Sequence, residues 1–368
     1  MKSIYIIPSL LLFMLFSACK KMDSTYKQYV VVGGIPYTGK AKSPKAYAGH
    51  NRVKITWLRG ADPNVTKARI FWNNYTDSVE VLIKDDADTI SVIIDNLPEK
   101  DYSFEIKTYD NKGVPSIPVE LLSGAFGDRY QSQLLTRPVN SVLLDKNDKL
   151  TIKWGNADIS NGAIFTELTY TDLTGTGKTV RFPVTQSSSV LTDVKLGTAM
   201  QYRTVFEPDT LSIDEFYTGS SNLGEISFDK KDWSIIGYST QHGGDANAVI
   251  NFIDGTDATR WHTDAGTSTY PHFATIDMGV ERTINKFGVW RTTAETGGDD
   301  RAPDQIQFLT STDNISWTDQ GIYPFNRMIN GEQSYPMASQ PKARYFKFVG
   351  VSGPHNYMVI GEISAYGF

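Results

Sequence analysis

Arg52-Val53-Lys54-Ile55-Thr56-Trp57 alternates polar and apolar residues and closes on a tryptophan. Successive side chains on a β-strand point to opposite faces, so the stretch buries Val53, Ile55 and Trp57 together and wets the other face. The pattern returns as Lys149-Leu150-Thr151-Ile152-Lys153-Trp154, its tryptophan 97 residues further on. Downstream of the first copy, Leu97-Pro98-Glu99-Lys100-Asp101-Tyr102-Ser103-Phe104-Glu105-Ile106 corresponds to Leu196-Gly197-Thr198-Ala199-Met200-Gln201-Tyr202-Arg203-Thr204-Val205, with the tyrosines 100 residues apart. One module of about 100 residues, used twice, accounts for both spacings. The copies are expected at 31–126 and 127–225, with Trp57, Trp154, Tyr102 and Tyr202 in their cores.

The whole chain reads as all-β. Aromatics make up 12% of its 368 residues, and 30 Gly and 16 Pro punctuate it, the composition of short strands joined by turns. The net charge of −5, with acids and bases interspersed, offers no basic stripe to nucleic acid. The repeated module resembles a fibronectin type III or Ig-like sandwich. Its leucine and tyrosine, five residues apart in one copy and six in the other, look like the tyrosine corner, in which the phenol caps a backbone group. From Tyr26 to about Gly224 the chain is similar to an uncharacterised domain family of bacterial envelope lipoproteins, a resemblance that implies no activity. Arg59, Asp62, Asn73, Asn74 and Asp77 crowd the turns of the first copy, where a hydrogen-bonded turn network is expected.

The N-terminus has a basic start at Lys2, an apolar run from Ile4 to Phe16 and small residues before Cys19. That is the build of a secretory signal, and the run is shorter than the roughly 20 residues that span a bilayer. Phe16-Ser17-Ala18-Cys19 resembles the lipobox of bacterial lipoproteins, with Phe16 where leucine is usual. Cys19 is the sole cysteine, at the one position that lipidation needs. The expectation is a signal peptide at 1–18, a lipid anchor on Cys19, a linker at 19–30, and residence in the cell envelope at the outer membrane.

The last third, 226–368, carries five blocks in order. They are Ala248 to Thr263 (with Asn251, Asp254-Gly255-Thr256, Thr259 and Trp261), Pro271 to Gly279, Ser311 to Trp317, Ala343 to Phe348, and Ile360 to Gly367. Together they resemble the coagulation factor 5/8 type C, or discoidin, domain, which includes carbohydrate-binding module family 32. The resemblance implies a galactose-binding-like jelly-roll sandwich. Within the first block, Asp254 supplies a carboxylate, Gly255 a tight turn and Thr259 a hydroxyl, the hard oxygens that calcium prefers. The resemblance adds the carbonyls of Asn251, Thr256 and Gly361 and the carboxylate of Glu362, an expected structural calcium site tying the start of the domain to its last strand. Trp261, His262 and His272 read as core.

The family's sugar site lies on loops at one end of the sandwich. By that resemblance His242, Arg291, Asn356 and Tyr357 are the expected carbohydrate contacts, with Tyr357 as stacking platform and Arg291 as hydroxyl clamp. Tyr270 and Tyr335 are further candidates without a motif. Other apparent motifs carry little. Gly175-Thr176-Gly177-Lys178-Thr179 reads as a hairpin turn rather than a phosphate loop, and Asp299, Asp300 and Asp304 sit in a loop with no apolar pocket to raise a pKa. The expected function is therefore glycan or polysaccharide binding by a lipoprotein that is not an enzyme, its lectin module held out by two spacers. Proteins of a polysaccharide-utilisation system are the expected protein partners. The alternative is an adhesion or scaffold protein whose discoidin module binds protein.

Overall fold

The computed structural model describes residues 27–34, 36–84, 88–294 and 301–368. Cys19, the expected signal peptide, Asp299 and Asp300 lie outside them. The chain divides into two compact units: the part up to Gly127 with Leu211–Asp214, and Asp128–Thr210 with Glu215–Phe368. No helix among the described residues is long and apolar enough to cross a membrane.

The first unit is a sandwich of three strands on four. One sheet orders β1 (Lys42–Gly49), β2 (Arg52–Leu58) and β5 (Thr89–Ile94). The other orders β4 (Asp77–Leu82), β3 (Val65–Trp72), β6 (Lys100–Asp110) and β7 (Val119–Ala125). The alternation read from β2 holds, with Val53, Ile55 and Trp57 buried and the residues between them partly exposed. These three meet Ile70, Phe104 and Ile106 from the opposite sheet in one core. Each fully buried large side chain contributes about 1.5–3 kcal/mol. The Tyr102 hydroxyl donates to the Pro98 carbonyl at 2.8 Å, the expected tyrosine corner.

The second copy repeats the plan. The strands β8 (Val139–Leu144), β9 (Leu150–Trp154) and β12 (Ser188–Leu191) form one sheet. Facing it are β11 (Gly177–Pro183), β10 (Ala163–Thr171), β13 (Gln201–Phe206), β14 (Phe216–Tyr217) and β15 (Ser221–Asn222). Tyr202 packs tilted against Trp154, ring centroids 5.6 Å apart.

The last sandwich is built on β19 (His272–Trp290), long enough to serve two sheets. Its first half pairs with β17 (Ser234–Tyr238) and with β23 (Lys342–Ser352), whose far edge carries β20 (Gln305–Ser311) and β21 (Thr318–Pro324). Its second half pairs with β22 (Gln333–Pro336) and β25 (Glu362–Gly367). The register breaks between Asp277 and Arg282, where Gly279 takes a φ of +79° that residues with a Cβ avoid. A two-residue strand, β16 (Ser227–Phe228), pairs parallel with β8 and antiparallel with β25, so one sheet runs from the second copy into the last sandwich. Two further short strands, β18 (Trp261–His262) and β24 (Val359–Ile360), pair with each other and carry the candidate site.

The polar cluster of the first copy resolves into two separate turns, one at each end of β3. Asp62 accepts from the Gly39 and Asn64 amides, while Asn73 donates to Asp77 and accepts from Lys100.

Candidate functional site

On β18, Trp261 is fully buried against Phe252 and donates its indole N–H to the Thr240 carbonyl at 3.0 Å. That bond fixes the 240–243 loop beside the strand, and the His242 amide then donates to the His262 carbonyl at 2.7 Å. The loop before β24 is tied in the same way, through Thr263 and Met358 exchanging backbone and hydroxyl bonds. Four rings from these loops consequently line up. His242 lies 5.0 Å from His262, His262 stacks on Tyr357 at 5.1 Å and 11°, and His355 stacks on Tyr357 at 5.1 Å and 13°. His242 and His355 are exposed, Tyr357 is half-buried and His262 is 7% exposed. Asp264 lies 3.7 Å from His242 Nδ1 at one end of the ladder. Asn356 is exposed, and its carbonyl lies 2.8 Å from His272 Nε2. Burial lowers the pKa of both His262 and His272.

Arg291 departs from expectation. It is 3% exposed and donates from Nη1 to the Arg327 carbonyl at 2.7 Å. The Gly361 amide bonds to the Trp290 carbonyl, and a Cβ on Gly361 would stand 2.8 Å from the Arg291 carbonyl. The Gly361 backbone thus packs tightly on that of Arg291, whose buried side chain is part of the wall and not an exposed clamp. Tyr335 is likewise core, 6% exposed against Phe308 and Tyr323. Tyr270 packs against His272 at 4.6 Å.

At the expected cation loop, the Thr259 hydroxyl gathers oxygens from three residues. Asp254 Oδ2 is at 2.7 Å, the Thr256 carbonyl at 3.2 Å and the Asn251 carbonyl at 3.5 Å. Glu362 is 4% exposed, and all of its oxygens are engaged. Oε2 accepts from the Gly255 amide at 2.6 Å; Oε1 accepts from the Ile363 amide at 2.8 Å and from Lys230 Nζ at 2.5 Å. Burial pushes Glu362 up to about 7 and pulls Lys230 down, with the ion pair opposing both.

Two families match the chain. DUF4998, a domain of unknown function, matches residues 19–216, and the F5/8 type C domain matches residues 234–363. The chain belongs to the DUF4998 family and carries an F5/8 type C domain. No curated protein matches it. Among solved structures, the C-terminal domain of a chitobiase from Bacteroides fragilis is similar at 23% identity, over 39% of this chain and 97% of that one, with a TM-score of 0.35. The family 32 module of Clostridium perfringens NanJ, in complex with galactose, is 17% identical over 39% of this chain and 99% of that one, TM-score 0.35. Another C. perfringens module, CpGH89CBM32-5, in complex with GalNAc-β-1,3-galactose, is 17% identical over 38% and 99%, TM-score 0.35.

Within the F5/8 type C domain, the loops bring His242, Asn356 and Tyr357 to one cluster and leave Arg291 in the interior. His262 and His355 belong to that cluster as well: His262 is buried, as its reading as core implied, while His355 was not singled out in the sequence. His355 sits two residues before Tyr357, a signal available but unused. The four residues of the 251–259 loop come together as expected. Glu362, the expected ligand from the last strand, holds the Lys230 ammonium and two backbone amides.

Proposed function

We propose that this chain is a glycan-binding protein of the cell envelope rather than an enzyme, held to a membrane by a lipid on Cys19. Its ligand is proposed to meet the exposed ends of the His242–His262–Tyr357–His355 ladder. The ladder is the observation that carries the reading. Sugars offer C–H faces that settle on ring systems and hydroxyls that need donors and acceptors. Here stacked rings supply the first, and the imidazole nitrogens, the Asp264 carboxylate and the Asn356 amide supply the second. The resemblance to carbohydrate-binding module family 32 supplies the ligand class, and the lone cysteine after a signal-like segment supports the anchor. A single site of this kind binds a mono- or disaccharide at micromolar to millimolar Kd, about −4 to −8 kcal/mol.

The test is a broad glycan array followed by titration of the best ligand. Tyr357→Ala should weaken binding by at least about 1 kcal/mol, roughly fivefold, with the fold intact. A folded chain that binds no glycan but captures a protein from envelope extract would favour the scaffold reading. For the anchor, labelled palmitate should tag the wild type and not Cys19→Ser; label retained by the variant refutes it.

A further inference from the structure

The Lys230 ammonium pairs with Glu362, one of the six residues expected to hold a divalent cation. Lys230 lies in the 3-10 turn Lys230–Asp232 that leads into the last sandwich, and Glu362 opens β25. Their side chains are 15% and 5% exposed, with Nζ 2.5 Å from Oε1. Through Oε2 the same carboxylate holds the Gly255 amide at the tip of the 254–259 loop. The amide bond therefore joins the two segments that an ion was expected to join, the 254–259 loop and the last strand, and the ion pair adds the Lys230 turn to them. A carboxylate this buried needs a charged partner, and an ammonium provides one without a shell of six to eight oxygens. An ammonium and a divalent cation on one carboxylate repel each other, so the two are alternatives.

We propose that the ammonium of Lys230 takes the place of the divalent cation in this protein and makes its F5/8 type C domain a metal-independent module. The loop oxygens of Asn251, Asp254 and Thr256 remain gathered on Thr259. Removing the ammonium leaves Glu362 unpaired beside that oxygen-rich loop. Lys230→Met then creates the calcium dependence that the wild type lacks. This inference does not depend on glycan binding.

The test uses the full chain as wild type, Lys230→Met and Lys230→Arg, melted in excess chelator and in millimolar calcium, with elemental analysis of the purified wild type. The wild type should carry no stoichiometric calcium and melt at one temperature in both conditions. Lys230→Arg should behave in the same way. Lys230→Met should melt on the order of 10 °C lower in chelator and recover with calcium. Stoichiometric calcium in the wild type, or a wild-type melting point that rises with calcium, overturns the proposal. So does a folded Lys230→Met that ignores calcium. If Lys230→Met does not fold, the metal content and chelator response of the wild type decide alone.

Discussion

His262 and His272 are held as neutral bases. His262 Nδ1 lies 2.5 Å from the Thr263 carbonyl and His272 Nε2 lies 2.8 Å from that of Asn356, so each of these nitrogens carries the ring's proton. A second proton on His272 would fall on Nδ1, which is buried without a partner among the described residues. Both pKa values are lowered by burial. Between those values and the ordinary one of about 6.5, the unfolded chain binds more protons than the folded one. Stability is therefore fully present above about 6.5 and is lost as pH falls, by at most about 1.4 kcal/mol per pH unit for each histidine. Glu362, pushed up to about 7, slopes the opposite way in this window. The histidine contribution is thus read as a difference between proteins. In urea unfolding at about pH 7.5 and about pH 5.5, the stability lost by the wild type should exceed that lost by His262→Gln or His272→Gln. Equal losses would remove the histidines from the account. At this scale the loop placement of His242 and Tyr357 was legible in the sequence because the resembled family carries loops there. The exposure of Arg291 was misread, because a position just past a strand looks like open loop, while the Gly361 backbone that packs on it comes from the far end of the domain.

Tyr102 shows how much of an element its local sequence can specify. A leucine and a tyrosine five residues apart announced a corner, and the hydroxyl meets the Pro98 carbonyl only four residues away. Tyr102→Phe should cost about 1 kcal/mol in denaturant unfolding with an unchanged strand content; no loss would mean that the bond adds nothing to the corner. The strands ending in Trp57 and Trp154 were equally legible, because alternation over six residues repeats the pleat. Ser227–Phe228 was not. Two residues have no readable period, and β16 exists only because β8 and β25 offer it backbone partners on both sides. The bend of β19 lies between these cases, since Gly279 marks it but the pairing with two sheets is a tertiary fact.

Across the larger unit, one continuous core runs from Leu144, Leu150 and Trp154 to Phe287, Phe308 and Phe348. The sequence places a domain boundary between residues 225 and 226, and the strand that joins the sheets starts one residue later, at Ser227. Lys230 likewise finds its partner 132 residues away, a pairing that no local pattern announces. Such joins hold β18 and β24 in place, and with them the four rings. Those rings are proposed to receive a glycan. In amide chemical-shift mapping of the chain with the best array ligand, saturable shifts should concentrate at 240–243, 262–264 and 355–358 and be lost in Tyr357→Ala. Shifts that saturate elsewhere on the domain, with these loops silent, would contradict the proposal.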